Sequence, residues 1–153
     1  MNWLVGVAFI ISLQLAASSA SAQTLLSHFS DAAVSKVAAR FSKTMHDGGI
    51  SGVIADIRSC YAATNFTKTQ ANGNAIALCM LYDYSAVQMD KGMRTNFVAQ
   101  GWSDPGSATS YLSDNALNAR FATYAPIPFG DDPSAVGAYF ADAPSKVLDR
   151  LKF

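Results

Sequence analysis

The two cysteines of this chain constrain its fold more than any other feature. Cys60 and Cys79 are the only thiols, and each lies in a segment whose apolar residues recur every three or four positions, as in an amphipathic helix. The polar stretch 64–73 separates the two segments. A disulfide requires Cα atoms within about 7 Å of each other. The pair therefore predicts a structural disulfide that closes an antiparallel hairpin of two helices.

The geometry of this hairpin depends on where its helices meet the polar stretch. If the first helix ends near Ala63 and the second begins near Asn74, both cysteines lie at similar heights, because a helix rises about 1.5 Å per residue. A second helix that began near Thr69 would require a tilted or uneven hairpin. The apolar pattern resumes at Ala75, which favours the first arrangement.

The first residues predict export to an oxidising compartment, where a cysteine pair is normally bonded. Leu4 to Leu15 form an almost unbroken apolar run, and Ala20-Ser21-Ala22 matches a cleavage site, although no Lys or Arg precedes the run. Residues 1–22 are therefore interpreted as a signal peptide, and residues 23–153 as a single α-helical domain that is periplasmic or secreted. An uncleaved signal anchor is the alternative. We expect no stable membrane insertion after cleavage.

The remaining pattern predicts an all-α fold. Apolar stripes indicate a helix between Ser30 and the glycine pair Gly48-Gly49, and further helices from Ile50, from Ala75, from Pro105 or Ala108, from Asp132-Pro133, and from Pro144 or Ser145. In the segment 125–130, Pro126 and Pro128 favour an extended conformation with buried apolar side chains. The expected fold is a small helical bundle of about five to six helices, with one inter-helix disulfide and a Pro-rich extended segment.

Charge and composition exclude several functions. Eleven basic and eleven acidic residues give a net charge of zero and are scattered along the chain, whereas a nucleic-acid partner calls for a concentrated basic face. Two lone cysteines are too few for a closed zinc site, and their spacing differs from that of the redox motif C-x-x-C. We expect no metal, no cofactor and no nucleic-acid partner.

Two aspartates mark the place where a polar site within the bundle would lie. Asp83 and Asp90 are seven residues apart on one predicted helix and project from the same side, which borders the core. Paired carboxylates can perform acid–base chemistry, but a buried Asp requires a partner such as Arg58, Arg94 or a tyrosine hydroxyl. We favour a structural ion pair or polar contact. The candidate polar site comprises Tyr82, Asp83 and Arg94.

His46-Asp47, near a predicted helix end, is the other catalytic candidate, as a general base oriented by a carboxylate. The interpretation that we favour is that His46 complements the negative end of its helix. The sequence contains neither a nucleophile elbow nor a His-Glu-x-x-His zinc motif. No catalytic residue is therefore assigned.

Three large aromatic residues form the candidate interaction surface: Trp102, Tyr124 and Phe129. Aromatic side chains carry much of the binding energy of an interface when they are exposed. In a domain of this size, however, such residues more often belong to the core.

These observations favour an exported, non-enzymatic interaction protein, inhibitor-like or immunity-like, that binds another protein of the cell envelope. In outline, an exported helical domain with one helix-to-helix disulfide is similar to several small periplasmic bacterial proteins, among them immunity proteins that neutralise secreted cell-wall hydrolases. This resemblance concerns architecture and carries over no residue. The alternatives are a small-molecule or lipid-binding helical bundle, and an enzyme of unrecognised type that uses Asp83 or His46.

Overall fold

A computed structural model of the chain describes residues 29–104, 106 and 110–151, and every regular element within them is helical. The all-α prediction is therefore confirmed, whereas the predicted signal peptide, residues 1–22, lies outside the described residues. A short 3₁₀ turn, Ser110–Leu112, precedes the third helix. Among the described helices, none has the length and apolar character needed to cross a bilayer. In chain order the helices are α1 (Asp31–Ala62), α2 (Gln70–Ala99), α3 (Asp114–Tyr124), α4 (Pro126–Phe129), α5 (Pro133–Phe140) and α6 (Ala143–Leu148).

α1 folds back on itself at Gly49 and so forms two antiparallel arms, residues 31–48 and 50–62. Ser30 caps the first arm, because its side-chain oxygen accepts a hydrogen bond from the amide of Ala33. Gly49 has φ 57° and ψ −157°, which is a non-helical conformation inside α1. Arg40 Nε donates to Asp56 Oδ2 across 2.8 Å, although 16 residues separate them. A straight helix would place them about 24 Å apart, so the predicted turn between two helices is confirmed.

Substitution of the two adjacent glycines tests this turn. Gly49→Ala is expected to lower the free energy of unfolding by about 1–3 kcal/mol, because its positive φ and extended ψ suit glycine alone. Gly48→Ala is the matched control, at a helical position with open space where a Cβ would lie. It should be neutral or stabilise by up to about 1 kcal/mol. Urea denaturation of the oxidised protein measures both, and equal effects would contradict a turn centred on Gly49.

The predicted disulfide joins the second arm of α1 to α2. The Cα atoms of Cys60 and Cys79 are 5.7 Å apart. The hairpin is uneven, because Cys60 lies in the last turn of α1 and Cys79 in the third turn of α2. The expected helix start near Asn74 is wrong. Thr69 caps α2 earlier by accepting a hydrogen bond from the amide of Asn72 across 3.2 Å.

The segment that was predicted to be extended is helical instead. Pro126–Phe129 forms the single turn α4 directly after α3. Both prolines lie within its first three positions, where an amide N–H has no partner inside a helix, so the missing N–H costs no hydrogen bond. The amide of Phe129 donates to the backbone oxygen of Ala125 across 3.0 Å. Ile127 and Phe129 are buried, as the sequence predicts.

Side-chain caps also set the starts of α3 and α5. α3 begins at Asp114, later than predicted, because the Ser113 hydroxyl oxygen accepts a hydrogen bond from the amide of Ala116 across 3.3 Å. α5 begins directly after Asp132, as predicted, and the Asp132 carboxylate accepts a hydrogen bond from the amide of Ser134 across 2.9 Å. Ser and Asp are among the preferred N-cap residues, and each start follows one of them.

The short helices close the bundle around the two hairpins. The first turns of α2 project beyond the end of α1 and pack against α4. A Cβ on Gly73 there would lie 3.4 Å from the Cα of Pro128. α6 returns to the start of α1, where Arg150 Nη2 lies 3.0 Å from Asp31 Oδ1. The largest fully buried side chains of the core are Phe41, Ile57, Ile76, Met80, Leu81, Tyr82, Leu112 and Phe129.

Candidate functional site

A buried carboxylate, Asp83, lies where α1, α2 and α3 meet, and it is 0% exposed. Arg120 binds it through two parallel hydrogen bonds, Nε to Oδ2 and Nη2 to Oδ1, each 2.7 Å long. The Tyr61 hydroxyl donates to Oδ2 across 3.1 Å. Two-pronged contacts between Arg and a carboxylate are among the strongest hydrogen bonds in proteins. The cation is Arg120, and neither Arg58 nor Arg94, the partners that the sequence suggested.

Arg120 is itself held in place by Tyr111. Its Nη1 donates to the backbone oxygen of Tyr111 across 2.9 Å, and its guanidinium carbon lies 4.0 Å from the centre of the Tyr111 ring. The guanidinium of Arg58 lies over the same ring at 4.9 Å. Tyr61, Asp83, Tyr111 and Arg120 are termed the Asp83 cluster below. The cluster ties α1, α2, the 3₁₀ turn and α3 together.

Burial and charge act against each other within the Asp83 cluster. Desolvation raises the pKa of Asp83 above its usual value, while the hydrogen bonds from Arg120 and Tyr61 oppose the rise. Desolvation lowers the pKa of Arg120, but the hydrogen bond and charge of Asp83 outweigh it and leave that pKa raised. Burial, followed by the Asp83 charge, raises the pKa of Tyr61. Because Asp83 is sealed from solvent and already bonded, we assign the cluster a structural role.

Tyr82 belongs to a different group, which joins the two arms of α1 to α2. Its ring centre lies 5.2 Å from the guanidinium of Arg40 and 5.3 Å from the ring centre of Phe41. Arg40 pairs with Asp56, whose Oδ2 also accepts a hydrogen bond from the Thr44 hydroxyl across 3.2 Å. The hydrogen bond from Arg40 lowers the pKa of Asp56, and burial raises the pKa of Tyr82 to about 12. This group therefore stabilises the fold-back of α1.

Arg94 belongs to a third group, in the C-terminal part of α2. Its Nε lies 3.3 Å from Asp90 Oδ2, and its Nη1 lies 3.5 Å from Asp104 Oδ2. Asp90 lies one helical turn before Arg94 and is 2% exposed. The guanidinium of Arg94 therefore lies beside a buried carboxylate. The structure thus does not bring Tyr82, Asp83 and Arg94 together. They lie in three separate groups.

His46 lies on the surface, near the turn of α1. Its side chain is 89% exposed, and its Nδ1 lies 3.1 Å from Asp47 Oδ1, while Asp47 also accepts a hydrogen bond from Lys43. This exposed pair lacks the water-excluding cleft in which a general base acts. The other histidine, His28, lies outside the described residues. In the part of the chain that the structure describes, no group of three or more His, Cys or Asp side chains could hold a metal ion.

The three aromatic residues of the candidate interaction surface differ in exposure. Trp102 is 64% exposed in the loop after α2. Tyr124 is half-buried between the rings of Tyr61 and Phe66, whose centres lie 4.3 Å and 5.6 Å from its own. Phe129 is 2% exposed, because α4 turns it into the core. The assignment of Phe129 to an interaction surface is therefore corrected.

Further exposed apolar side chains accompany Trp102 at the end of α2. From Gly92 onward no residue of α2 is buried, so its last turns project from the bundle. Met93, Phe97 and Val98 are 38%, 49% and 51% exposed. Met93 and Phe97 are one turn apart and therefore neighbours on the helix surface. The amide of Trp102 donates to the backbone oxygen of Phe97 across 3.1 Å. These four residues are termed the distal patch.

The charged side chains around the distal patch are paired with one another. Lys91 Nζ lies 2.6 Å from Asp114 Oδ1, and Arg94 contacts Asp104. The charged side chains at the rim of the patch are therefore already paired. The interaction surface predicted from the sequence did not include Met93 or Val98. The available signal was that apolar residues continue along α2 beyond its last buried position.

Comparisons of this chain with protein families, with curated proteins and with solved structures return no match. The contacts described above therefore carry the functional argument by themselves.

Proposed function

We propose that this chain is an exported, non-enzymatic interaction protein, periplasmic or secreted, which binds another protein of the cell envelope in an inhibitor-like or immunity-like role. The observation that carries the proposal is the distal patch. Four large apolar side chains lie exposed at the projecting end of α2 and in the loop directly after it. Clusters of this kind on a folded domain commonly mark interaction sites.

The shape of the distal patch favours one mode of recognition. A helix can insert apolar side chains spaced one turn apart into a groove of its partner. Met93 and Phe97 have this spacing, and Trp102 adds the residue type most enriched among binding hot spots. Because the rim charges are already paired, recognition would depend on apolar fit. The expected partner therefore presents an apolar cleft, and its binding should depend only weakly on salt.

The disulfide and the first residues of the chain support the exported location in this proposal. Cys60 and Cys79 are bonded, as is typical of proteins in oxidising compartments. Residues 1–22 have the apolar run and the small-residue site of a signal peptide. Both features fit a chain that functions in the periplasm or outside the cell.

The proposal can be tested with a pull-down from the envelope fraction of the cells that produce the protein. The bait is the oxidised mature chain, residues 23–153, and the affinity of each retained protein is then measured with purified components. The wild type should retain one partner at both low and high salt. Phe97→Ser and Trp102→Ser should each weaken its binding at least tenfold, because a hot-spot side chain contributes about 1.4 kcal/mol or more.

Phe66→Ser provides a matched control. Phe66 is 65% exposed, like Trp102, but it lies in the loop before α2, at the other end of that helix. Its substitution should leave binding unchanged, and circular dichroism should show the same helix content in all variants. Equal losses for the three variants would contradict the proposal. So would the recovery of no partner together with a small ligand retained in native mass spectrometry.

A further inference from the structure

A groove of about 310 Å³ lies over the disulfide, between both arms of α1 and the first turns of α2. Its lining is mainly apolar and includes Val37, Leu78 and the bonded residues Cys60 and Cys79. Two small side chains, Ala63 at the C-cap of α1 and Ala75 of α2, are among the residues that line it. It is termed the disulfide groove.

Two cations, Lys36 and Arg40, line one side of the disulfide groove. They are one helical turn apart, and like charges at this spacing weaken a helix. Lys36 forms no ion pair with any of the residues that the structure describes. Lys36 is thus an exposed cation that is available to an anionic ligand at the groove.

Arg40 retains hydrogen-bonding capacity beside the groove. Its Nε and Nη2 donate to Asp56, and its Nη1 lies 3.5 Å from the Cys60 sulfur. These contacts use three of the five N–H groups of a guanidinium, so two remain. The Asp56 contact also fixes the guanidinium in position. A held cation with spare donors, next to a mainly apolar lining, suits a ligand with an anionic head and an apolar tail.

We propose that the disulfide groove binds a small anionic amphiphile, a single acyl or alkyl chain with a carboxylate or phosphate head. The head contacts Lys36 and Arg40, and the chain covers Val37, Leu78 and the disulfide. The volume lies at the lower end of the range for ligand sites, which suits one chain and not a two-chain lipid. This proposal is independent of the distal patch, because the residues from Leu78 to Phe97 span about 28 Å of α2.

Isothermal titration calorimetry of the oxidised mature chain tests the head group. The probes are decanoate, decyl phosphate and decanol, each below the concentration at which it aggregates. At least one anion should bind with one-to-one stoichiometry and more tightly than decanol. A preference for decanoate indicates a free fatty acid as the ligand, whereas a preference for decyl phosphate indicates a single-chain phospholipid. Lys36→Gln should weaken anion binding about threefold, the effect of one exposed charge, and Lys68→Gln, also exposed and outside the groove, should not.

A second pair of variants tests the place of binding. Ala75→Trp fills the groove from an exposed position and should abolish binding. Ala71→Trp, exposed one turn earlier on α2 and outside the groove, should preserve it. Unchanged urea midpoints verify that both variants fold. The proposal is overturned if neither anion gives saturable heat, if decanol binds as tightly as the anions, or if the two Trp variants behave alike. None of these results affects the pull-down through the distal patch.

Discussion

Arg120→Met is expected to lower the free energy of unfolding by about 3–5 kcal/mol, a large fraction of the total stability of a domain of this size. The substitution removes both hydrogen bonds of the guanidinium to Asp83. Asp83 would remain fully buried, with the Tyr61 hydroxyl as its remaining donor in the Asp83 cluster. A buried carboxylate without its cation is strongly unfavourable. Urea denaturation of the oxidised protein, followed by circular dichroism, measures the loss.

Two further variants separate this effect from the general loss of an arginine. Arg150→Met removes an ion pair with Asp31 in which the side chains are 36% and 89% exposed, and it should cost less than about 1 kcal/mol. Asp83→Leu combined with Arg120→Met removes both buried charges and should restore most of the stability, because apolar replacements of a buried pair are often neutral. Equal costs at positions 120 and 150, or no recovery in the double variant, would contradict a buried ion pair.

Removal of the disulfide, by Cys60→Ala together with Cys79→Ala, is expected to cost about 3 kcal/mol. The bond links residues with a sequence separation of 19, so its loss gives the unfolded chain more conformational freedom. Alanine is preferred to serine because Cys79 is 2% exposed, and a hydroxyl there would add a buried polar group. The urea midpoint of the double variant measures the effect.

The wild-type protein under reducing conditions is the control for the disulfide prediction. It should lose about the same stability as the double alanine variant, because both lack the covalent link and retain the helices. A loss well below 1 kcal/mol in both cases would show that the link contributes little beyond the contacts between α1 and α2. A large loss in the variant alone would instead indicate a cavity left by the missing sulfurs.

Features of the fold that are determined by residues close together in the chain could be predicted from the sequence. Ser30 and Asp132 begin helices because their side chains accept hydrogen bonds from amides two or three residues later. Gly49 provides a turn because it adopts a positive φ. The disulfide followed from two cysteines in adjacent periodic segments. In each case the determining residues lie close together in the chain.

The start of α2 was predicted too late in the chain. The loop before it is stabilised by hydrogen bonds to the first turn of α2, and these bonds cannot be read from the sequence. Asn72 lies in the first turn of α2, and its side-chain amide donates to the backbone oxygens of Asn65 and Thr67. Residues 70–73 of the polar stretch interrupt the apolar pattern, although they already belong to α2. A start near Thr69 was the alternative that the sequence left open, but the bonds that stabilise the loop around it depend on the folded geometry.

Neither the Asp83–Arg120 ion pair nor the whole distal patch could be predicted from the sequence, and the reasons differ. Asp83 and Arg120 are 37 residues apart, and their pairing depends on how α3 packs against α2. The sequence around either residue contains no pattern that indicates this packing. The favoured prediction placed the large aromatic residues in the core. Phe129 follows it, because the helical turn of α4 directs its side chain inward, whereas Trp102 is exposed.

The position of Arg120 has a consequence for the order in which the molecule assembles. The hairpins of α1 and α2 bring together near neighbours in the chain, and such contacts form rapidly. Synthesis proceeds from the N-terminus, so Asp83 is present before the residue that neutralises it. Until α3 arrives, this carboxylate must stay hydrated or protonated, and the interior around it stays open. A chain truncated before Arg120 would therefore keep its long helices but lack a sealed core.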